Sequence, residues 1–525
     1  MARFPRALYL ALLHWPMRAV SLRRQIPDSV LDRYKALHKD VYGPDRKGKP
    51  LPMSIQRMGD KEPGQPAGPA HYWPHARGHV RRYSLSNYRG PRNLTRAMKW
   101  SWHHPEGRYH TVVVGAPLLD VHRNIYLTTE DGIRKFSPNG EVLWHYQGAS
   151  NMVGSSSLWG NAIFGNTVDG HTFSLDLTSG KELWSKKYAQ ETGLDPAFVE
   201  VHQGVVVAGV DGGKEGGNKR IVGVDSASGV LMWQFTVKTS IFDFMPVFPD
   251  DDTTVFQDSS GGVYRLGLSN GTLLWYTQPE TTGKTKPFAR GGLTLGLGVD
   301  GGVFSCANKK GKGEAGSLGA LRKFRLRDGR LEWERELPYP CNTWPVYSPD
   351  DNSVVVPIGA RPNVPTTYNF FGSGKQFLTQ LHRDNVLAGN TSRSLLGYPA
   401  LPGAIMAFDA KSGSLQWREE VDPWGAMAAA GDEEGILERK ELKNRAMCMP
   451  SHWSAPTVDS MGNIFVGRLD GFLYEFRHGG GVVKFYTGSG AGPPGVSFAE
   501  GMMAYADCDS LYVFDTPKAK RPSSG

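Results

Sequence analysis

The sequence predicts an all-β protein, an eight-bladed β-propeller of four-stranded blades, preceded by a mostly irregular, basic N-terminal extension with one short helix. Composition is the first reason, because 64 glycines, 35 prolines and 14 tryptophans among 525 residues are typical of many turns and aromatic strands. The second reason is an internal repeat in which an aromatic residue follows a glycine by four positions. A repeat architecture lets one closed ring absorb a chain that length alone would divide into several domains.

The glycine-to-aromatic repeat predicts one β-hairpin in each copy. Six copies carry tryptophan and a seventh carries phenylalanine: Gly140–Trp144, Gly180–Trp184, Gly229–Trp233, Gly271–Trp275, Gly329–Trp333, Gly413–Trp417 and Gly481–Phe485. Glycine supplies the positive φ that a tight hairpin needs, and the aromatic side chain supplies buried area for packing one sheet on the next. A proline-led strand and a β-branched strand lie upstream of these hairpins, so the full unit is a four-stranded propeller blade.

The number of repeats predicts the size of the ring. Seven hairpins give seven blades, and residues 496–515 supply about three further strands but no aromatic fourth strand. Residues 97–102, at the other end of the repeat region, contain the missing tryptophan strand. Closure by strands from both termini gives eight blades over residues 96–517, with a disordered tail at 518–525. A seven-bladed ring with residues 97–102 outside it is the alternative.

Positive charge is concentrated at the N-terminus. The first 100 residues hold 20 Lys and Arg against 6 Asp and Glu, whereas the rest hold 40 against 45. The basic balance therefore belongs to the extension, and no specific nucleic-acid partner is predicted. Residues 1–27 are Arg-rich and acid-free and have only a short apolar stretch, which favours a mitochondrial or plastid transit peptide. A secretory signal or membrane anchor is the alternative.

Residues 28–95 are predicted to form a basic helix followed by a linker and an arm. Apolar side chains recur at helical spacing over residues 28–42, and residues 43–70 have the Pro- and Gly-rich composition of a linker. Residues 71–96 mix aromatic, His and Arg side chains, and we expect a solvated arm that lies along the propeller. Such an arm could also hold the protein at a membrane or a large complex.

The four cysteines are predicted to be buried thiols. Cys306, Cys341, Cys448 and Cys508 show neither CxxC nor zinc-site spacing. The acidic runs at 250–252 and 350–351 both follow a proline-led strand, so we expect solvated turns there and no metal site.

The hairpin segments SLDLTSGKELW, GVDSASGVLMW and AFDAKSGSLQW resemble the repeats of the quinoprotein (PQQ-like) β-propeller superfamily. The resemblance covers about residues 96–516. The superfamily includes PQQ-dependent alcohol dehydrogenases and a non-enzymatic outer-membrane assembly lipoprotein. The resemblance therefore implies the fold and two very different functions.

In the dehydrogenases, PQQ and Ca²⁺ lie near the axis beside a catalytic carboxylate, a Ca²⁺-binding Asn and a Trp that stacks on the cofactor. By this resemblance, Asn363 is the candidate metal ligand, Asp422 the candidate catalytic residue and Trp424 the candidate cofactor-binding residue. The adjacent cysteine pair of the dehydrogenases is absent, and the stretch around Asp422 lacks the family's preceding His and second Asp.

We therefore predict a non-catalytic propeller that acts as a protein-interaction scaffold, with no bound cofactor. Two insertions, residues 361–403 and 422–452, are the predicted binding surface for protein partners, and residues 433–447 within the second have a helix-like composition. The alternative is a PQQ- and Ca²⁺-dependent dehydrogenase that oxidises alcohols or sugars through Asn363, Asp422 and Trp424.

Overall fold

A computed structural model describes most of the repeat region and the segment just before it. The described residues are 70–80, 82–193, 197–212, 217–249, 251–278, 287–289, 291–296, 302–309, 317–361, 401–426, 428–448, 450–492 and 495–518. The predictions for residues 1–69, for Asn363, for nearly all of the first insertion and for residues 519–525 lie outside the described residues.

The described strands follow one another as antiparallel meanders. The elements before the ring and in its first four blades are β1 (Gly78–His79), β2 (Arg82–Tyr83), α1 (Leu94–Ala97) and β3 (Met98–His103); blade 1, β4 (Leu118–Leu119), β5 (Ile125–Thr129), β6 (Gly132–Phe136) and β7 (Val142–Tyr146); blade 2, β8 (Ser157–Trp159), β9 (Ala162–Asn166), β10 (His171–Asp176) and β11 (Glu182–Lys187); blade 3, β12 (Val199–His202), β13 (Val205–Gly212), β14 (Asn218–Asp225) and β15 (Leu231–Ile241); blade 4, β16 (Thr253–Gln257), β17 (Val263–Gly267) and β18 (Leu273–Thr277).

The second half of the ring repeats the pattern. Its elements are, in blade 5, β19 (Pro287–Phe288), β20 (Leu293–Leu295), β21 (Val303–Lys309), β22 (Leu318–Phe324) and β23 (Leu331–Leu337); blade 6, β24 (Val346–Ser348), β25 (Ser353–Gly359), β26 (Leu401–Asp409) and β27 (Leu415–Trp424); then α2 (Asp432–Glu441); blade 7, β28 (Thr457–Val458), β29 (Ile464–Gly467), β30 (Phe472–Phe476) and β31 (Val482–Tyr486); blade 8, β32 (Ser497–Ala499), β33 (Met502–Ala506) and β34 (Ser510–Asp515), with β3 as its fourth strand.

The eight-bladed prediction is confirmed, and the seven-bladed alternative is wrong. The fourth strand of blade 8 is β3, in which Trp100 pairs with Val513 of β34, so both ends of the repeat region share one sheet. First strands of neighbouring blades contact each other, for example β32 with β4, which identifies them as the innermost strands. In blade 4 the innermost strand is reduced to a bridge between Val247 and Val255.

The repeated glycine and aromatic residue join neighbouring blades. Gly180 in the hairpin of blade 2 has φ +70°, and a Cβ there would lie 2.7 Å from the ring of Trp144 in blade 1. The Trp144 Nε1 donates a hydrogen bond to the Leu177 carbonyl of blade 2, at 3.2 Å. Trp100, Trp184, Trp233, Trp275 and Trp333 pack in the same way against the hairpin glycine of the next blade, whereas nothing lies within 4 Å of a Cβ built at Gly481. This packing explains why the glycine and the aromatic residue recur together.

The ring has two sides, which differ in their loops. Because successive strands of a blade are antiparallel, the turns after the first and third strands lie on one side, here called the hairpin side. The turns after the second strands and the connections between blades lie on the other side, here called the insertion side. Both predicted insertions belong to the insertion side, since one follows β25 and the other follows β27.

The prediction of a solvated arm is wrong for residues 72–90, here called the axial segment. This segment crosses the hairpin-side mouth of the ring and touches the innermost region of every blade. Its contacts are Trp73 with Leu119 and Phe498, Pro74 with Leu158, His75 with Glu200, Tyr83 with Phe248, Arg77 with Leu293 and Pro345, and Ser86 with Val458. The polar side chains of this segment bond to strand ends around the axis. The segment is therefore buried, although its amino-acid composition is typical of a protein surface.

Candidate functional site

Apolar side chains fill the centre of the ring. The cluster consists of Ala116 of blade 1, Phe198 of blade 3, Met245 of blade 4, Trp344 of blade 6, Ala455 of blade 7 and Ala76 of the axial segment, all buried. These residues come from five blades distributed around the ring, and such residues can meet only at the axis. The Phe198 and Trp344 rings lie 5.6 Å apart at an interplanar angle of 89°, an edge-to-face contact across the ring.

Hydrogen bonds between neighbouring innermost segments surround this cluster. They are Ala116 N to Ser155 Oγ (3.1 Å), Val199 N to Ser155 O (3.0 Å), Phe198 N to Phe244 O (3.0 Å), Gln257 Nε2 to Cys306 O (2.9 Å), Gly292 N to Thr343 O (3.2 Å), Thr343 Oγ1 to Ser454 O (2.9 Å), Thr457 Oγ1 to Val496 O (2.9 Å) and Ser497 Oγ to Pro117 O (2.5 Å). Many polar groups close to the axis therefore bond from blade to blade, although the buried Trp344 Nε1 has no hydrogen-bond partner among the described residues.

Arg77 of the axial segment lies beneath the apolar cluster. Its guanidinium is buried and donates to Ser84 Oγ at 2.9 Å and to two backbone carbonyls, those of Leu293 at 2.7 Å and Pro345 at 2.6 Å. Burial lowers the pKa of Arg77 to about 9. The mouth of the ring is thus closed on the hairpin side by a polar group whose described bonds stay within the protein.

The structure places the predicted cofactor residues at the rim. Asp422 and Trp424 lie at the end of β27, the outermost strand of blade 6. The Asp422 side chain is 94% exposed, with Lys484 Nζ at 3.6 Å, and Trp424 Nε1 donates to the Ala428 carbonyl at 2.9 Å. Neither side chain reaches the axis, and Asn363 lies outside the described residues.

The residues of the axial cluster do not fit the cofactor pair that the resemblance implies. Ca²⁺ requires several oxygen ligands, and PQQ requires a flat polar slot, whereas the side chains of this cluster are hydrophobic and packed against one another. Within the described ranges, no group of three or more His, Cys, Asp and Glu side chains could hold a metal ion.

The second insertion is the largest described addition to the repeat. Its predicted helix is confirmed in shorter form as α2, and a small core of Ala428, Ile436 and Met447 lies beneath it. Backbone bonds join Ala430 to Leu469 of blade 7 (2.9 Å) and to Gly490 before blade 8 (2.7 Å). The insertion is therefore a folded cap on the insertion side.

A buried ion network fixes α2 to blade 8. Arg439 donates through Nη1 to Asp432 Oδ1 at 2.9 Å and through Nη2 to Asp509 Oδ1. Asp432 Oδ1 also accepts the Cys448 amide at 2.6 Å, and Asp509 Oδ2 accepts the Ser489 hydroxyl. All three charged side chains are buried, so the pairing is needed to offset their desolvation.

Asp507 is the most perturbed carboxylate of this region. It lies in the turn between β33 and β34, and its Oδ1 accepts the amides of Asp509 and Ser510 at 2.8 and 2.7 Å. Burial, followed by the charge of Asp509, raises the pKa of Asp507 to about 7. Arg108 Nη2 lies 3.4 Å from Asp507 Oδ2 and acts in the opposite direction.

The prediction of buried thiols is wrong, because the four cysteines form two disulfides. Cys448 of the insertion is bonded to Cys508 in the same turn as Asp507, with a Cα–Cα distance of 5.9 Å. Cys306 of β21 is bonded to Cys341, in the connection to blade 6, with a Cα–Cα distance of 5.4 Å. Partners separated by 60 and 35 residues come together only after blades are assembled, so their spacing gave no signal.

The two predicted insertions leave the ring at one place. His452, at the end of the second insertion, bonds through Nδ1 to the carbonyl of Ala360 at the start of the first. Its ring also fills the space above Gly359 and Gly403, where a Cβ would lie 2.3 Å from it. Burial and the charge of Arg468 lower the pKa of His452, which fits a neutral imidazole that accepts from Arg468 Nε at 2.9 Å.

The described helices are too short and too polar to cross a bilayer.

A family model described as outer membrane protein assembly factor BamB matches residues 106–215 and 217–338. No curated protein sequence matches the chain.

Solved structures with the same fold include both functional types that the resemblance implies. BamB from Moraxella catarrhalis has a TM-score of 0.50 and 14% identity, and the match covers 80% of this chain and 99% of that chain. Quinohemoprotein alcohol dehydrogenase from Comamonas testosteroni has a TM-score of 0.56 and 13% identity, with 87% and 82% covered. Quinohemoprotein alcohol dehydrogenase ADHIIG from Pseudomonas putida has a TM-score of 0.57 and 11% identity, with 88% and 82% covered. These identities show the fold alone.

Proposed function

Because this chain is a PQQ-like repeat propeller, we propose that it is a non-catalytic protein-interaction scaffold rather than a quinoprotein dehydrogenase. The observation that carries the proposal is the filled axis. Phe198 and Trp344 touch there, and side chains of the protein itself occupy the space that an axial cofactor would need. A protein without an axial site acts through its surfaces. The protein that the matching family model describes is an assembly factor by name, which agrees with this proposal.

The binding surface of the scaffold is the insertion side of the ring from blade 6, where the second insertion begins, through blades 7 and 8 to blade 1. The second insertion extends over three blades, since Ala430 bonds to blade 7, Arg439 to blade 8 and Arg445 to Glu130 of blade 1. An element held this firmly presents its outer face in one conformation, which lowers the entropic cost of binding. Leu442 at the end of α2 belongs to that outer face and is 37% exposed.

The proposal also concerns the compartment in which the protein acts. Disulfides persist in oxidising compartments, so the two described pairs favour a secreted, luminal or intermembrane location over a reducing matrix. Import of the chain through residues 1–27 stays a prediction, since they lie outside the described residues.

One experiment tests the scaffold surface. Proteins cross-linked to the full chain in its native cells are compared between wild type and Leu442→Asp, with Val482→Asp as a matched control because Val482 is equally exposed, at 37%, on blade 7. We expect Leu442→Asp to lose a partner that Val482→Asp keeps. Identical partner sets for all three proteins would contradict the proposed surface.

A second measurement tests the dehydrogenase alternative. A ligand that binds only the folded state raises its melting temperature by mass action. We therefore expect PQQ with Ca²⁺ to leave the melting temperature of the purified chain unchanged and to give no dye-linked alcohol oxidation. A saturable rise in melting temperature would contradict the non-catalytic proposal.

A further inference from the structure

Exposed aliphatic side chains are concentrated on the outer strands of blades 1 to 4. The third residue after the hairpin glycine is Leu143, Leu183, Met232 and Leu274 in these four blades, with exposures between 43% and 58%. Val142, Val230, Leu231 and Leu273 lie beside them and are also exposed. These eight residues are here called the aliphatic arc. Scattered exposed leucines are normal, but their recurrence at one position of four consecutive blades is not.

The other four blades are polar at the same position. Glu332, Gln416 and Lys484 occupy it in blades 5, 6 and 7, and Lys99, just before the Trp100 that packs on Gly140, occupies it in blade 8. The repeat itself therefore does not require an aliphatic residue there. The difference divides the rim into an aliphatic half and a polar half.

Charge divides the rim in the same way. The outer strands of blades 1 to 4 contain one acid, Glu182, and three lysines, Lys186, Lys187 and Lys238. The outer strands of blades 5 to 8 contain more acids than cations. The acids are Glu332, Glu334, Glu336, Glu419, Glu420 and Asp422, and the cations are Lys99, Arg335, Arg418 and Lys484. An aliphatic surface with lysines and few acids suits a partner that is both apolar and anionic.

Acids in the neighbouring turns are held by local bonds. Asp176 accepts the Ser179 amide at 2.8 Å, Asp225 accepts the Ser228 amide at 2.8 Å, and Asp251 is paired with Arg265 Nη2 at 2.5 Å. These bonds hold the carboxylates in the turns and not on the outer strands. On the outer strands of blades 1 to 4 the exposed lysines therefore outnumber the acids.

Geometry favours a flat partner. Equivalent positions of the blades are related by rotation about the axis, so the arc lies at one height, just inside the hairpin side. A flat fluid surface contacts such an arc without any matching shape, whereas a rigid protein would have to curve around half of the ring. An anionic lipid bilayer is flat, apolar beneath its headgroups and negatively charged.

The described chain begins on the same side of the ring, directly after a basic stretch of sequence. His71 Nε2 bonds to the Gly160 carbonyl at 2.7 Å, which places the start of the described chain on the hairpin side of blade 2, inside the aliphatic half. The 69 residues before it hold 13 Lys and Arg against 6 Asp and Glu. A segment with this excess adds attraction to an anionic surface.

A cleft of about 400 Å³ on the hairpin side of blade 7 carries further cations. Arg89, Arg92 and Arg477 line it, and Glu475 offsets part of their charge because its Oε1 accepts from Arg477 Nε at 3.1 Å. The cleft is large enough for a phosphate headgroup.

We propose that the hairpin side of blades 1 to 4 docks on the surface of an anionic lipid bilayer, with the aliphatic arc in the headgroup region. The lysines of the outer strands face the lipid phosphates. This surface lies opposite the insertion side, so the proposal is independent of the scaffold proposal, and a propeller docked in this way keeps its insertions accessible.

Sedimentation of the full chain with vesicles tests the docking. The vesicles are phosphatidylcholine alone, or phosphatidylcholine with about one third phosphatidylglycerol. We expect binding to the anionic vesicles alone, and weaker binding at high salt. The quadruple variant Leu143→Ser, Leu183→Ser, Met232→Ser and Leu274→Ser, which changes no charge, should bind about ten-fold more weakly or worse because it loses the apolar contact.

The control is the double variant Gln416→Ser and Val482→Ser, which alters the polar half of the rim and should bind like wild type. Melting temperatures show that each variant is folded, and Leu183→Ser with Leu274→Ser replaces the quadruple variant if that one is not.

Three results would overturn the proposal. Binding of the arc variant equal to that of wild type would assign all attraction to the basic segment. Absence of binding to anionic vesicles would remove the bilayer altogether. Self-association of wild type without vesicles, lost in the arc variant, would make the arc an interface between copies. The insertion side could still capture a protein partner in each case, so failure here is distinguishable from failure of the scaffold proposal.

Discussion

The axis and the rim of this propeller are built from one repeat, yet they have opposite properties. At the axis, Phe198 of blade 3 and Trp344 of blade 6 touch, and the other residues of their cluster are equally buried. At the rim, Leu143 and Leu183 occupy repeat positions and meet no other blade's core. The comparison teaches that ring closure constrains the axial positions together, whereas each rim position can change by itself. Function in such a ring can diverge at the rim and the loops while the centre is kept for stability.

The largest expected effect tests the axis against the rim directly. Trp344→Ala removes a fully buried ring that packs on Phe198, and we expect a loss of about 3–5 kcal/mol in the free energy of unfolding. Leu183→Ala, at the rim, should change that free energy by less than about 0.5 kcal/mol. Denaturant unfolding of both variants measures the difference, and equal losses at both positions would show that the axis is no better packed than the rim.

The parts of the fold that local sequence encodes were predictable. A glycine and an aromatic residue recur four positions apart, as in Gly140–Trp144 and Gly180–Trp184, because each hairpin must both turn and cover the aromatic residue of the preceding blade. The eighth blade was predictable because the last repeat lacks an aromatic strand and residues 97–102 supply one. In both cases a short segment carries the whole signal.

The filled axis could not be predicted in the same way. Met245 and Trp344, like Ala116 and Ala455, directly precede the proline of a proline-led strand. The motif marks these positions but does not predict that their side chains pack together with Phe198, which happens only because the ring closes. Trp73 and Arg77 belong to a segment whose composition is typical of a surface, and its burial depends on backbone carbonyls such as those of Leu293 and Pro345, which the blades expose near the axis. The cofactor candidates Asp422 and Trp424 were suggested by resemblance, and the structure places them at the rim.

The cysteine pair of the insertion should have the next largest effect. Cys508→Ser opens a crosslink across 60 residues, and the chain-entropy argument gives a loss of about 2–4 kcal/mol in the free energy of unfolding. This is a smaller expected effect than at the axis, although the insertion lies over three blades. Unfolding with and without reductant measures it, since the reductant should destabilise wild type at least as much as the substitution does. Four reactive thiols in unreduced, unfolded wild type would contradict the disulfides and restore the prediction of buried thiols.

The smallest expected effect is the pH dependence of stability that the buried carboxyl group of Asp507 causes. Because the pKa of Asp507 is raised to about 7, the native state holds a proton that the unfolded state releases at lower pH. The stability from this proton is present below the ordinary pKa of an aspartate and is lost as the pH rises through about 7.

The melting temperature of wild type should therefore fall between about pH 5 and about pH 8, and Asp507→Asn should flatten that fall by about 2 °C or more. The amide oxygen of Asn can still accept from Asp509 and Ser510. Asp422→Asn makes the same substitution at a side chain that is 94% exposed at the rim, and it is the matched control that should keep the wild-type slope. An unchanged slope for Asp507→Asn would mean that Arg108 compensates the buried charge of Asp507. The turn beneath the insertion would then contribute no more to the pH dependence of stability than the exposed rim does.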